Sequence, residues 1–146
     1  MLLDRTGILL VDDESVDVVV MQRILEKVGY VVFAGMNHED ALALLMAHLT
    51  KISLLLTDVS LPGKTGLDIA SDCLRYKPEL KILLVSGWTG AEFLKYAGIP
   101  RDDLHFLAKP FRASQLLSRV RTILGTTEQI GWLNTKRGKV IAGNDV

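Results

Sequence analysis

The chain has 146 residues, of which 49% are hydrophobic and 23% charged, so it can form one globular domain with a substantial core. Its 17 basic and 17 acidic residues cancel, which removes any general electrostatic reason to bind nucleic acid or an anionic membrane. The single cysteine, Cys73, excludes an intramolecular disulfide and a cysteine-rich metal site. No apolar run could span a bilayer, and none resembles a signal peptide, so we expect a cytoplasmic protein.

Short apolar segments predict the strands of a parallel sheet. Each segment is continuously apolar rather than alternating, which is typical of strands that helices cover on both faces. In chain order the five segments are residues 8–11, 31–33, 52–56, 82–85 and 106–107.

Apolar residues between these segments recur at helical spacing and predict helices. Gly29 follows the first set as a stop signal, and Asn37 precedes the second as a candidate N-cap. The third helix ends before Pro78 and the last at Gly125. Between them, residues 89–98 are a further candidate helix, in which Gly90 and Gly98 leave little room. Five strands alternating with five helices predict a doubly wound α/β domain with a parallel sheet. Such folds place their sites beyond the carboxyl ends of the strands.

The last segment, residues 126–146, departs from this alternation. It contains three glycines, one tryptophan and a small basic group, Lys136, Arg137 and Lys139. We interpret it as a C-terminal tail or linker after one domain that spans residues 6–125. A basic arm for nucleic acid is the alternative, but three charges give it little support.

Polar side chains follow the ends of four predicted strands. They are Asp12 and Asp13, Asp58, Ser86, and Lys109. Carboxylates that cluster together repel one another, and such a cluster is stable when it binds a cation or retains protons. Mg²⁺ prefers oxygen ligands, and three aspartates, one Mg²⁺ and one lysine sum to zero charge. A site balanced in this way can receive a phosphoryl group.

Four segments in combination resemble the receiver domain of two-component response regulators. They are LVDDE at 10–14, LTDVSLPG at 56–63, LVSG at 84–87 and AKPF at 108–111. The resemblance covers residues 6–125 and is closer to receivers attached to hybrid sensor histidine kinases than to those of DNA-binding regulators. It implies a flavodoxin-like fold with the strand order 2-1-3-4-5.

The resemblance also implies a role for each site residue. Asp58 would be the phosphoacceptor and become a 4-aspartylphosphate, while Ser86 and Lys109 would contact the phosphoryl group. Ser86 and Phe106 would be the switch residues, and the bond between Lys109 and Pro110 would be cis. The Mg²⁺ ligands would be Asp12, Asp13, Asp58 and the backbone carbonyl of Ser60.

The predicted function is therefore a phosphorelay switch that catalyses only its own phosphorylation and dephosphorylation. Its partner would be a sensor histidine kinase or a histidine phosphotransfer protein, with no direct contact to nucleic acid or membrane. Five of the nine aromatic residues lie in residues 88–111, which favours this face for partner contact or a homodimer. The residues after Gly125 are too few for an output domain, so the chain is a stand-alone receiver or a fragment of a larger protein.

Two other functions remain as alternatives. A phosphatase with an aspartyl nucleophile needs a second aspartate two residues after the first, and Ser60 stands at that position. A pseudo-receiver would bind partners without phosphorylation, and only the bulky Trp88 next to the predicted site favours it.

Overall fold

A five-stranded parallel sheet forms the centre of the computed structural model, which describes residues 5–87 and 104–125. Within these residues the spatial order of the strands is β2-β1-β3-β4-β5, as predicted. The strands are β1 (Gly7–Val11), β2 (Val31–Gly35), β3 (Ile52–Asp58), β4 (Lys81–Ser86) and β5 (Leu104–Ala108).

Four of the five predicted helices lie within the described residues. They are α1 (Ser15–Lys27), α2 (His38–Ala47), α3 (Gly66–Tyr76) and α4 (Ala113–Leu124). The predicted helix at 89–98 lies outside the described residues, as do the tail at 126–146 and residues 88–103 of the predicted homodimer face. The four described helices have 10 to 13 residues each, and none of them could span a bilayer.

The predicted helix boundaries have identifiable physical causes. The side chain of Asn37 accepts a hydrogen bond from the backbone N–H of Asp40 at 2.8 Å, which caps α2 as expected. Gly29 follows the end of α1 with a φ of 106°, a left-handed conformation that glycine adopts without strain. The first turn of α3 is held by a capping box between Thr65 and Asp68, a signal that the sequence analysis did not use.

The core lies on both faces of the sheet because successive side chains of each strand point to opposite faces. In β1, Leu9 and Val11 pack on the face that α2 and α3 cover. Ile8 and Leu10 pack on the other face, beneath α1 and α4. All five residues of β1 are buried, whereas the edge strands β2 and β5 are only partly buried.

All five strands are longer than their apolar segments predict, and β3 and β5 show the reason. β3 continues through Thr57 to Asp58, and β5 includes Leu104 and His105 before its apolar pair. In both cases the ladder to β4 continues past the apolar run, with Asp58 opposite Val85. Backbone pairing, rather than side-chain hydropathy, therefore sets these strand ends.

Cys73 lies on the core-facing side of α3 and has no exposed surface. Burial raises the pKa of its thiol to about 12.

We expect the native Cys73 thiol to react with a disulfide reagent at pH 8 about a thousandfold more slowly than a free cysteine, because so little of it is thiolate. Absorbance of the released thiol measures this rate, and the guanidinium-unfolded protein is the control. Equal rates in the two states would contradict this burial.

Candidate functional site

The register of the sheet brings the predicted site residues to one edge. Val11 lies opposite Thr57 in the β1–β3 ladder, and Ser86 lies opposite Ala108 in the β4–β5 ladder. The carboxyl ends of these parallel strands therefore lie side by side. The residues at or just after those ends are Asp12, Asp58, Ser86 and Lys109.

The ammonium group of Lys109 joins the carboxylates at this edge. Its Nζ donates to Oδ2 of Asp58 at 2.8 Å and lies 3.5 Å from Oδ2 of Asp12. Oδ2 of Asp17, in the first turn of α1, lies 3.4 Å from the same nitrogen. Asp12 has no exposed surface and Asp58 is 9% exposed, so water screens these charges only weakly.

Backbone groups hold the two buried carboxylates in place. Oδ1 of Asp12 accepts from the N–H of Glu14 at 3.0 Å, and Oδ1 of Asp58 accepts from the N–H of Ser60 at 3.0 Å. Each carboxylate thus has one oxygen held by the backbone and the other within reach of Lys109. Such fixed geometry reduces the reorganisation that a reaction at Asp58 would need.

The loop after β5 places Lys109 beside the end of β4. The backbone N–H of Lys109 donates to the carbonyl of Ser86 at 2.8 Å, and the bond from Lys109 to Pro110 is cis, as the resemblance implied. This backbone contact fixes where the lysine side chain starts, from which it reaches across to β3.

The pKa values of two groups reflect the opposing effects of burial and charge. Burial raises the pKa of Asp12 above its usual range, although the Glu14 N–H and Lys109 oppose the shift. Burial alone would lower the pKa of Lys109. The hydrogen bond that Lys109 donates to Asp58 and the charges of Asp58, Asp12 and Asp17 outweigh burial and raise the pKa. Lys109 therefore remains a cation in the crevice.

Gly66 allows the start of α3 to pack against the backbone of the proposed acceptor. A Cβ at this position would lie 2.2 Å from the carbonyl oxygen of Asp58, closer than any real contact. The N–H of Gly66 donates to the carbonyl of Val59 at 2.9 Å, which holds α3 in this position. A glycine is therefore needed here for space rather than for backbone conformation.

The remaining predicted residues lie close to this edge in sequence and in the fold. Asp13 is half-buried directly after Asp12, and Ser86 is buried at the end of β4. Phe106 is half-buried in β5, and its carbonyl accepts a hydrogen bond from Arg119 of α4.

Asp17 is a member of this cluster that the sequence analysis missed. It lies four residues before Met21 and eight before Leu25, both of which are buried. Residues at this spacing share one face of a helix, so Asp17 continues the core-facing stripe of α1 toward the sheet edge. A charged residue on an apolar stripe next to the predicted site was the signal that could have identified it.

The carboxylates at this edge are hard oxygen donors, the type of ligand that Mg²⁺ accepts. Among residues 5–87 and 104–125, no three His, Cys, Asp or Glu side chains are close enough to hold a metal ion by themselves. Mg²⁺ keeps several waters and is usually bound by one or two carboxylates together with phosphate oxygens. Burial disfavours the ionised form of Asp12, and a bound cation would favour it.

Comparison with known proteins agrees with this geometry. The family model of the response regulator receiver domain matches residues 8–121. The aerobic respiration control protein ArcA of Escherichia coli is 30% identical over 133 residues, which are 91% of this chain and 54% of ArcA. The transcriptional regulatory protein CpxR of the same species is 33% identical over 117 residues, 80% of this chain and 48% of CpxR. The chain spans about half the length of these relatives.

Solved structures give the same result for the whole fold. A response regulator receiver protein from Sinorhizobium medicae is 28% identical with a TM-score of 0.73, and the match covers 84% of this chain and 96% of that protein. The receiver domain of the hybrid histidine kinase CckA is also 28% identical, with a TM-score of 0.68 and coverages of 82% and 99%. The chain therefore belongs to the response regulator receiver domain family.

Proposed function

We propose that this chain is a phosphorylation-controlled switch in which Asp58 accepts a phosphoryl group. The observation that carries the proposal is the environment of Asp58. This carboxylate lies at the end of β3, almost fully buried, and it bonds both the Ser60 N–H and the Lys109 ammonium. The donor would be a phosphohistidine on a sensor histidine kinase or a histidine phosphotransfer protein.

The transfer would be a single displacement at phosphorus. A carboxylate oxygen of Asp58 attacks, and a new P–O bond forms while the P–N bond to the donor imidazole breaks. The imidazole leaves with the electron pair of that bond and takes up a proton. Lys109, already 2.8 Å from Asp58, neutralises charge on the phosphoryl oxygens as they arrive.

A magnesium site would accompany this chemistry. The ion would be held by Asp12, Asp13, Asp58 and the backbone carbonyl of Ser60, and the three side chains would have to close around it from their arrangement in the structure. When bound, Mg²⁺ supplies positive charge to the phosphoryl oxygens. The buried position of Asp12 supports this role, because a cation would offset the cost of ionising a carboxylate without water.

Ser86 and Phe106 would transmit the change to the surface. The carbonyl of Ser86 bonds the backbone N–H of Lys109, so a shift of Ser86 toward a phosphoryl group would also move the start of the β5–α4 loop. Phe106 lies opposite Leu84 in the β4–β5 ladder and would respond to the same movement.

The switch would not turn over external substrates. A phosphatase of the aspartyl type would need an acidic group at Ser60, whose side chain is a hydroxyl.

Incubation with acetyl phosphate and Mg²⁺, followed by intact mass measurement, tests the proposal. A switch gains one phosphoryl group, a phosphatase also hydrolyses p-nitrophenyl phosphate repeatedly, and a pseudo-receiver does neither.

We expect millimolar Mg²⁺ to raise the melting temperature, since an ion that binds only the folded state stabilises it by RT ln(1 + [L]/Kd). At 100 times Kd the gain in unfolding free energy would be about 2.7 kcal/mol. Differential scanning calorimetry measures the shift. Asp13→Asn should reduce it, while Glu26→Gln, at the exposed far end of α1, should not. A melting temperature indifferent to Mg²⁺ would count against the site.

A further inference from the structure

We propose that Asp17 is a positioning residue that holds Lys109 on the α1 side of the crevice, so that it strengthens Mg²⁺ binding and weakens the binding of a phosphoryl group. This inference rests on the proposed function and adds to it a residue that the magnesium and acceptor positions do not include.

The contacts of Lys109 support this role. Its Nζ is shared among three carboxylates, at 2.8 Å from Asp58, 3.4 Å from Asp17 and 3.5 Å from Asp12. Asp58 and Asp12 are the residues that a phosphoryl group and Mg²⁺ would engage. Those ligands would draw on the charge of Asp58 and Asp12. Asp17, in α1, would bind neither ligand and would keep its full attraction for Lys109. It therefore competes with the phosphoryl oxygens for the ammonium.

The charge of the site supports the same conclusion. Asp12, Asp13 and Asp58 are balanced by one Mg²⁺ and Lys109, as the sequence analysis counted. Asp17 contacts that lysine and adds a fourth negative charge. The site with Mg²⁺ therefore carries one net negative charge before an anionic group arrives. A surplus negative charge attracts the cation and repels the anion.

The expected size of the effect follows from the exposure of Asp17. Its side chain is 45% exposed and that of Lys109 is 27% exposed, so solvent screens the pair more than a buried one. Pairs screened in this way change affinities by a factor of about 1.5 to 5. The effect should be measurable without being decisive for folding.

Asp17 could instead act only on the stability of α1. An acidic residue in the first turn of a helix interacts favourably with the helix dipole, and Asp17 lies in that turn. Loss of such an interaction would lower the unfolding free energy. A loss of helix stability would weaken the binding of both ligands or of neither, because it does not depend on the sign of the ligand charge.

The test compares two affinities in one variant. Mg²⁺ binding is measured by isothermal titration calorimetry, and beryllofluoride, an anionic mimic of the phosphoryl group, is then titrated at saturating Mg²⁺. We expect Asp17→Asn to lower the affinity for Mg²⁺ about threefold and to raise the affinity for beryllofluoride by a similar factor. Asp17→Glu, which keeps the charge, should restore both affinities toward those of the wild type.

The control removes the same charge elsewhere on α1. Glu26→Gln alters a residue about 13 Å further along the helix, where Glu26 bonds Gln22 and not Lys109. It should leave both affinities unchanged. If the wild type binds both ligands, the inference is overturned when Asp17→Asn changes the two affinities in the same direction or changes neither. A wild type that binds neither ligand would overturn the proposed function itself.

Discussion

The Asp58→Asn variant is expected to take up no phosphoryl group from acetyl phosphate, whereas the wild type takes up one. An amide is a far weaker nucleophile than a carboxylate, so uptake should fall to background. The fold should survive because the replacement is nearly isosteric and removes a buried negative charge next to Asp12. Intact mass spectrometry in the presence of Mg²⁺ measures the uptake.

A matched control separates this effect from a general loss of charge. Asp72→Asn makes the same chemical change in α3, where the partners of Asp72 are His38 and Arg75 rather than Lys109. This variant should be phosphorylated like the wild type. Equal labelling of Asp58→Asn and the wild type would refute the assignment of Asp58 as the acceptor.

Among glycine-to-alanine substitutions in the described residues, Gly66→Ala should cause the largest loss of unfolding free energy. The new Cβ would lie 2.2 Å from the carbonyl oxygen of Asp58 and 2.9 Å from the Cα of Val59, and both are backbone atoms that cannot rotate away. Either α3 or the end of β3 must move. Forced overpacking of this kind costs about 3 kcal/mol of unfolding free energy, a large share of the stability of a small domain.

Gly87→Ala is the matched control, since a Cβ there meets no atom of the described residues within 4 Å. Urea unfolding should show an unchanged midpoint for Gly87→Ala and a much lower one for Gly66→Ala. The clash involves the backbone of Asp58, so phosphoryl uptake of Gly66→Ala should fall as well. A Gly66→Ala protein as stable as the wild type would show that the start of α3 does not pack so closely on β3.

The sequence by itself was sufficient for the parts of the fold that local patterns specify. Continuous apolar runs located all five strands, because the strands of a parallel sheet that helices cover on both faces consist mainly of apolar residues. Asn37 and Gly29 located the ends of helices through backbone hydrogen bonding and left-handed geometry, which depend only on neighbouring residues. Both predictions agree with the structure.

The same patterns predicted which site residues meet. Parallel strands that begin at one side of a sheet must end at the other, so residues just after their ends share one edge. Asp12, Asp58 and Lys109 meet there as expected, although Asp58 and Lys109 are separated by 51 positions. The likeness of four short motifs to receiver domains supplied their proposed roles.

Tertiary structure alone decided the contact between Asp17 and Lys109 and the clearance at Gly66. Ninety-two positions separate Asp17 from Lys109, and their 3.4 Å contact depends on how α1 packs across the sheet. The space at Gly66 depends likewise on the distance between α3 and the end of β3. Periodicity determines which face of a helix is buried. It does not determine how closely that face approaches its neighbours, because many side chains packed together set that distance.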